Sequence, residues 1–115
     1  MRIISGIYKS RILRSPKKNA EIRPTTDRAR ETLFNIINNF FDLDNSICTD
    51  LYCGTGSFGL ECISRGAVKC YFIDRNIDLV KKNIIDLKSK EIRFDGATRV
   101  QALSNNRLLI MLEKG

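Results

Sequence analysis

An α/β fold built on a doubly wound, mostly parallel sheet is what these 115 residues predict, and three observations predict it. A glycine-rich turn, DLYCGTGSFG at residues 50–59, follows a short apolar run of Ile47, Cys48 and Leu51. Apolar residues recur at helical spacing on both sides of that turn, over residues 29–41 and 77–87. Between and beyond these stretches lie short apolar runs, CYFID at 70–74 and LLIML at 108–112, with the length and character of strands. Alternating strand and helix implies parallel pairing with right-handed crossovers.

The elements follow in order. Residues 2–14 set the apolar pairs Ile3-Ile4, Ile7-Tyr8 and Ile12-Leu13 among basic residues, which predicts a small β-hairpin or two short strands. Residues 15–22 read as a basic loop containing Pro16. Arg23-Pro24 resists helix, and Asp27 suits the N-cap of the helix that follows. That helix sets Ala29, Leu33, Ile36, Ile37, Phe40 and Phe41 at helical spacing, an expected core face. Residues 42–46 turn into the first strand of the parallel sheet. Past the glycines a helix runs through residues 60–65 until Gly66 stops it. After CYFID, Arg75 or Asn76 begins a helix with Ile77, Val80, Ile84, Ile85 and Leu87 inward and Lys81 and Lys82 toward water. Residues 91–94 suit a third strand ending at Asp95-Gly96, and residues 108–112 a fourth, buried one. The chain divides into a basic N-terminal hairpin or arm, 1–22, and one α/β domain, 23–115.

Charge is uneven. Residues 1–30 hold nine Lys/Arg and two acids, 9 − 2 = +7, whereas residues 31–115 hold eleven of each sign. The whole net charge therefore sits in the first quarter, which points to a polyanion partner. Only Tyr8 interleaves an aromatic ring there, so base stacking by the arm is not indicated. No run of about 18 apolar residues suggests a membrane span, and the N-terminus lacks a secretory apolar segment. Cys48, Cys53, Cys62 and Cys70 form no C-x-x-C pair, and the chain has no histidine, so packed, reduced thiols in a cytoplasmic protein are expected rather than a metal site.

The glycine turn carries the chemistry. Gly54, Gly56 and Gly59 fit G-x-G-x-x-G: a tight turn, a close backbone approach and close helix–strand contact. Asp74 lies twenty residues beyond Gly54, the spacing of a carboxylate that grips ribose hydroxyls. Two cofactor classes compete. A dinucleotide would seat a pyrophosphate over the turn, where an anion four residues before the first glycine is unfavourable. S-adenosylmethionine carries a sulfonium and an ammonium, so Asp50 favours it over NAD.

Three blocks resemble the bacterial ribosomal RNA small-subunit methyltransferase D family: RIISGIYKSRIL, RPTTDRARETLFNII at residues 23–37, and DLYCGTGSFGLECISRGA followed by FIDRN. From first to last they span residues 2–76, about two thirds of the chain. The resemblance implies the N-terminal part of a Rossmann-like, S-adenosylmethionine-dependent methyltransferase sheet, preceded by a basic hairpin and a helix. Its implied activity is methylation of a guanine N2 in 16S rRNA, free or in a small-subunit assembly intermediate. It implies that Asp50, Gly54, Gly56 and Gly59 surround the methionine part of the cofactor and that Asp74 holds the ribose. Asp95 falls near the adenine, and Thr25 closes over the cofactor. Arg2, Lys9, Arg11, Arg14, Lys17 and Lys18 would contact phosphates. Neither a metal nor a catalytic side chain is implied within these residues.

One departure stands out. The family carries an (Asp/Asn)-Pro-Pro-(Tyr/Phe) motif after the fourth strand, whereas Pro16 and Pro24 are the only prolines here. Complete members continue for about three more strands. The sequence therefore predicts a C-terminally truncated member, with weak or no transfer activity alone and an open sheet edge suited to self-association. The alternative is a non-catalytic RNA-binding remnant whose pocket is vestigial.

Overall fold

A computed structural model describes residues 1–16, 26–90, 97–103 and 107–113. The elements are α1 (Asp27–Phe40), β1 (Ile47–Leu51), α2 (Ser57–Ser64), β2 (Lys69–Asp74), α3 (Asp78–Lys90), β3 (Ala97–Ala102) and β4 (Leu108–Glu113). They form one sheet in the order β1-β2-β4-β3. β1 and β2 pair in parallel through α2, with Cys48 opposite Cys70 and Asp50 opposite Phe72. The expected strand at 91–94 lies outside the described residues.

β4 is a strand with a buried centre, as its apolar run predicts, but it runs antiparallel to both neighbours. Only residues 103–107 join it to β3. A parallel return needs a crossover of about a dozen residues, so so short a link forces the chain to double back. β1, β2 and β3 still point the same way, which keeps their carboxyl ends together.

Helix faces differ from the periodicity in instructive ways. Thr26, not Asp27, caps α1: its hydroxyl accepts the Ala29 N–H at 3.1 Å. The buried residues of α1 are Arg30 and Phe34, while Leu33, Ile36, Phe40 and Phe41 are exposed, Phe40 by 76%. Phe34 decides this, because its ring stacks on Phe58 of α2 at 5.3 Å and lies beneath the Arg65 guanidinium. The buried stripe of α3 is Val80, Ile84 and Leu87, continued by Ile77 just before the helix, whereas Ile85 is exposed and Asn83 is buried in its place. α3 begins at Asp78, where the Asn76 side chain accepts the Asp78 N–H. Lys82 faces water and Lys81 is half-buried.

The N-terminal hairpin reduces to one antiparallel bridge, Arg2 to Ile12. It is not a loose arm. Ile3, Tyr8 and Leu13 enter the same core as Leu60, Ile63 and Phe72. The Ile7 N–H donates to the Ser64 carbonyl at 2.9 Å, and the Tyr8 N–H to the Ser64 hydroxyl. Burying Ile3 and Leu13 stabilises the docking by about 1.5–3 kcal/mol each.

Candidate functional site

The carboxyl ends of β1 and β2 build the site. Asp50 is the penultimate residue of β1, and its buried Oδ2 accepts the Gly59 N–H of α2 at 3.1 Å. Burial pushes the Asp50 pKa up to about 7; the Gly59 N–H pulls it down, and charge at Cys48 and Asp74 pushes it further up. Asp74 ends β2. Its Oδ2 accepts the Gly54 N–H at 2.8 Å, and its Oδ1 accepts the Arg75 N–H. The carboxylate predicted from spacing thus touches the glycine turn directly.

The three glycines divide the work differently from their motif. Among the described residues a Cβ at Gly54 would meet nothing within 4 Å, so that backbone is open to a ligand on that side. At Gly56, φ is +82° and a Cβ would lie 2.4 Å from Val80 Cγ2, so the close approach there is made by α3. A Cβ at Gly59 would lie 2.4 Å from Phe72 Cε1 and 2.6 Å from Cys70 Sγ, which is why α2 can lie so close to β2. The start of α2 also has its amides engaged by the chain itself: Ser57 N–H donates to the Thr55 hydroxyl at 3.2 Å, and Gly59 N–H to Asp50.

Asp50, Gly54, Gly56, Gly59 and Asp74 therefore converge on one corner. Thr25 and Asp95 lie outside the described residues, as do Lys17 and Lys18. Of the basic residues proposed for phosphate contact, three are engaged internally. Arg14 grips Asp86 of α3 with Nε at 2.8 Å and Nη2 at 3.2 Å, and Asp86 raises its pKa through that hydrogen bond and its charge. Arg11 donates to the Asp86 carbonyl at 3.1 Å, and Arg2 faces Asp27 at 3.7 Å. Lys9 is exposed and has no ion pair among the described residues.

Sequence reasoning missed two buried polar hubs. Glu61 is fully buried in α2; its carboxylate accepts the N–H groups of Ile4 and Ser5 at 2.8 and 3.1 Å and pairs with Arg30 at 3.4 Å and Arg65 at 2.9 Å. Arg30 reaches on to Asp27 at 2.6 Å and to the Arg2 carbonyl. Asn83 accepts the Arg14 N–H at 2.7 Å and donates to the Thr55 carbonyl at 2.9 Å, tying the N-terminal segment to the glycine turn through α3. The signal for Glu61 was present: a carboxylate among Leu60, Cys62 and Ile63 is costly inside unless cations and amides meet it.

The four cysteines are free thiols. Burial pushes Cys53 up to about 12, with Asp50 and Asp74 adding to it, so it offers no thiolate nucleophile at neutral pH. Among the described residues no helix is long and apolar enough to cross a membrane, and no group of three or more potential ligands is arranged to hold a metal ion.

Comparison with known proteins places this corner in context. The chain is 41% identical over 92 residues to the ribosomal RNA small subunit methyltransferase D of Haemophilus influenzae, covering 76% of this chain and 46% of that protein. It is 34% identical over 118 residues to the protein of the same name from Escherichia coli K12, covering all of this chain and 54% of that one. The chain thus spans about half the length of the curated relatives it matches. Among solved structures, "Putative methyltransferase yhhF from Escherichia coli" superposes with a TM-score of 0.64 at 19% identity over 99% of this chain and 97% of that one, a likeness of fold. The structure described as "putative methylase HI0767 from Haemophilus influenzae" superposes with a TM-score of 0.52 at 36% identity over 76% of this chain and 44% of that one, and the α/β sheet is accordingly that of part of a Rossmann-like methyltransferase fold. The family model described as "Conserved hypothetical protein 95" matches residues 1–113, so the chain belongs to that family, the one that includes its methyltransferase D relatives.

Proposed function

We propose that these residues form the S-adenosylmethionine-binding part of an RNA methyltransferase that acts on a guanine N2 of 16S rRNA. The observation that carries this reading is the Asp50 carboxylate lodged on the first turn of α2. A dinucleotide needs the amides of that turn for its pyrophosphate. Here Ser57 and Gly59 donate theirs to Thr55 and Asp50, and a carboxylate stands where a phosphate would repel it. A cationic methionine group meets the opposite sign. Asp74, already holding Gly54, has a second oxygen at the strand end to accept from ribose hydroxyls. Gly54 leaves room for the cofactor to lie against the backbone.

The cofactor supplies a transferable methyl group on a sulfonium. The chain's part is to position it, and positioning is worth several kcal/mol only if the acceptor is held too. With Pro16 and Pro24 the only prolines, the Pro-Pro amino-group acceptor is not among these 115 residues. They therefore bind cofactor and transfer methyl weakly or not at all by themselves. The relatives' printed name supports ribosomal RNA as substrate and, with it, a cytoplasmic site of action near small-subunit assembly. The exposed β1 edge, with Ile47 65% exposed, suits pairing with a second copy, which sedimentation would detect.

Calorimetry tests the reading. S-adenosylmethionine should bind, NAD should not compete, and Asp74→Ala should abolish the heat. A pyrophosphate-bearing nucleotide displacing S-adenosylmethionine would overturn it. Methyl transfer to ribosomal RNA at an enzyme's usual ~1–10³ s⁻¹ by these residues alone would overturn the claim of weak activity.

A further inference from the structure

Tyr52 belongs to the glycine turn but had no role in the motif. It is 70% exposed, and its backbone holds φ +56°. Left-handed backbone is uncommon for a bulky aromatic residue and costs about 1–2 kcal/mol. Nothing in the core repays that cost, because the ring does not enter the core. Its neighbour is Arg107, from the link between β3 and β4. The guanidinium carbon lies 4.9 Å from the ring centroid, and Nη2 donates to the Tyr52 hydroxyl at 3.2 Å.

The register fixes where this pair stands. Tyr52 follows Leu51, which pairs with Ile73; Arg107 precedes Leu108, which pairs with Asp74. The two side chains come from the residues that adjoin the strands on either side of β2, and they meet beside its last residue. That residue is the carboxylate that holds Gly54. An exposed aromatic ring and a planar guanidinium, each able to stack on a flat heterocycle, thus flank the ribose end of the candidate site.

We infer that Tyr52 and Arg107 form a stacking wall for a purine base of a ligand held at Asp74. This deepens the function proposed above and rests on it for the identity of the ligand, since the purine belongs either to the cofactor's adenosine or to the target guanine. A flat ring stacks on the face of Tyr52 turned away from Arg107, while the guanidinium backs the tyrosine from its other face at 4.9 Å. The strained backbone aims the ring at the mouth rather than at the core, as strain held at a binding position does.

Three variants of the 115-residue chain test this: Tyr52→Leu, Tyr52→Gly and Arg107→Ala. Each is titrated with S-adenosylmethionine and with a short single-stranded RNA bearing one guanine, against the same RNA with uridine in its place. Loss of one base stack corresponds to about tenfold weaker binding. A tenfold loss of S-adenosylmethionine affinity in Tyr52→Leu, with a smaller loss in Arg107→Ala, assigns the wall to the cofactor's adenine. Unchanged cofactor affinity with loss of the guanine-over-uridine preference assigns it to the target base. Tyr52→Gly should weaken the same ligand while holding or raising the melting temperature, because glycine accepts the left-handed backbone. A ring that only steadies the fold would do the reverse. If cofactor and guanine RNA bind all variants as they bind the unaltered chain, the wall is overturned while the cofactor reading stands. If S-adenosylmethionine fails to bind the unaltered chain but Tyr52-dependent guanine binding persists, the cofactor reading falls and the wall stands. If neither ligand binds, both fall.

Discussion

The glycine corner and the N-terminal basic segment treat their charges in opposite ways. At the corner, Asp50 is buried with no cation against it among the described residues, and Gly54 meets none of them beside Asp74. In the N-terminal segment, Arg11 and Arg14 are bound to Asp86, Arg2 faces Asp27, and nearby Arg30 is buried against Glu61. One region keeps electrostatic demand unmet in the folded chain; the other has largely met it. The contrast teaches that a count of like charges does not measure the charge available to a partner. Lys9 offers a freer cation than Arg14, and one poised carboxylate at the corner carries more functional information than the net charge of +7.

The sharpest way to break the contrast is to remove the carboxylate that satisfies the N-terminal side. Glu61→Ala leaves Arg30 buried with less compensation and frees the Ile4 and Ser5 amides. Urea denaturation should show a loss of about 3–5 kcal/mol, and a loss below 1 kcal/mol would show that the hub is not what docks the segment. The opposite sign is expected at the corner. Asp50 holds its proton up to about pH 7 when folded, whereas an unfolded aspartate loses it near pH 4. The folded state binds more protons in that window, so the contribution of Asp50 to stability falls as pH rises from about 4 to about 7 and stays low above it. Asp50→Asn should therefore stabilise the empty chain at pH 8 relative to the unaltered protein, with the gain vanishing at pH 4.

Ligand binding sharpens the same point. An ionised Asp50 attracts a cationic methionine group, so S-adenosylmethionine affinity should climb between pH 6 and pH 8, and the climb should be absent in Asp50→Asn. Equal pH profiles in the two proteins would remove Asp50 from the site. Within the glycine turn, Gly59→Ala should cost about 1–3 kcal/mol, because its new methyl meets Phe72 and Cys70. Gly54→Ala meets no atom and should cost only about 1 kcal/mol, from its φ of +54°. The smallest effect is expected in the basic segment. Lys9→Ala should lower the salt dependence of RNA binding by about one counterion, and Arg14→Ala should change it less, because Arg14 already has Asp86.

Much of the corner was legible in the chain because its information is local. The run from Asp50 to Gly59 specifies strand, turn and helix, and the βαβ unit delivers Asp74, twenty residues beyond Gly54, to the same end of the sheet. Helical period likewise placed α1, α2 and α3 nearly in register with their observed bounds. Period could not choose between the two faces of α1, since Phe34 with Arg30 and Leu33 with Ile36 and Phe40 are both helical stripes. Only the stacking of Phe34 on Phe58 and the pull of Glu61 on Arg30 selected the first.

Local pattern was enough for the short-range features: a glycine turn between two parallel strands, its carboxylate, and the polarity of the chain's charge. The long-range features came from packing. Packing set the antiparallel run of β4, the engagement of the arginines, the elevated pKa of Asp50 and the meeting of Tyr52 with Arg107. The reason is physical. Backbone geometry repeats every two or 3.6 residues and is written in the local pattern, whereas desolvation and charge pairing depend on which distant surfaces close over a group.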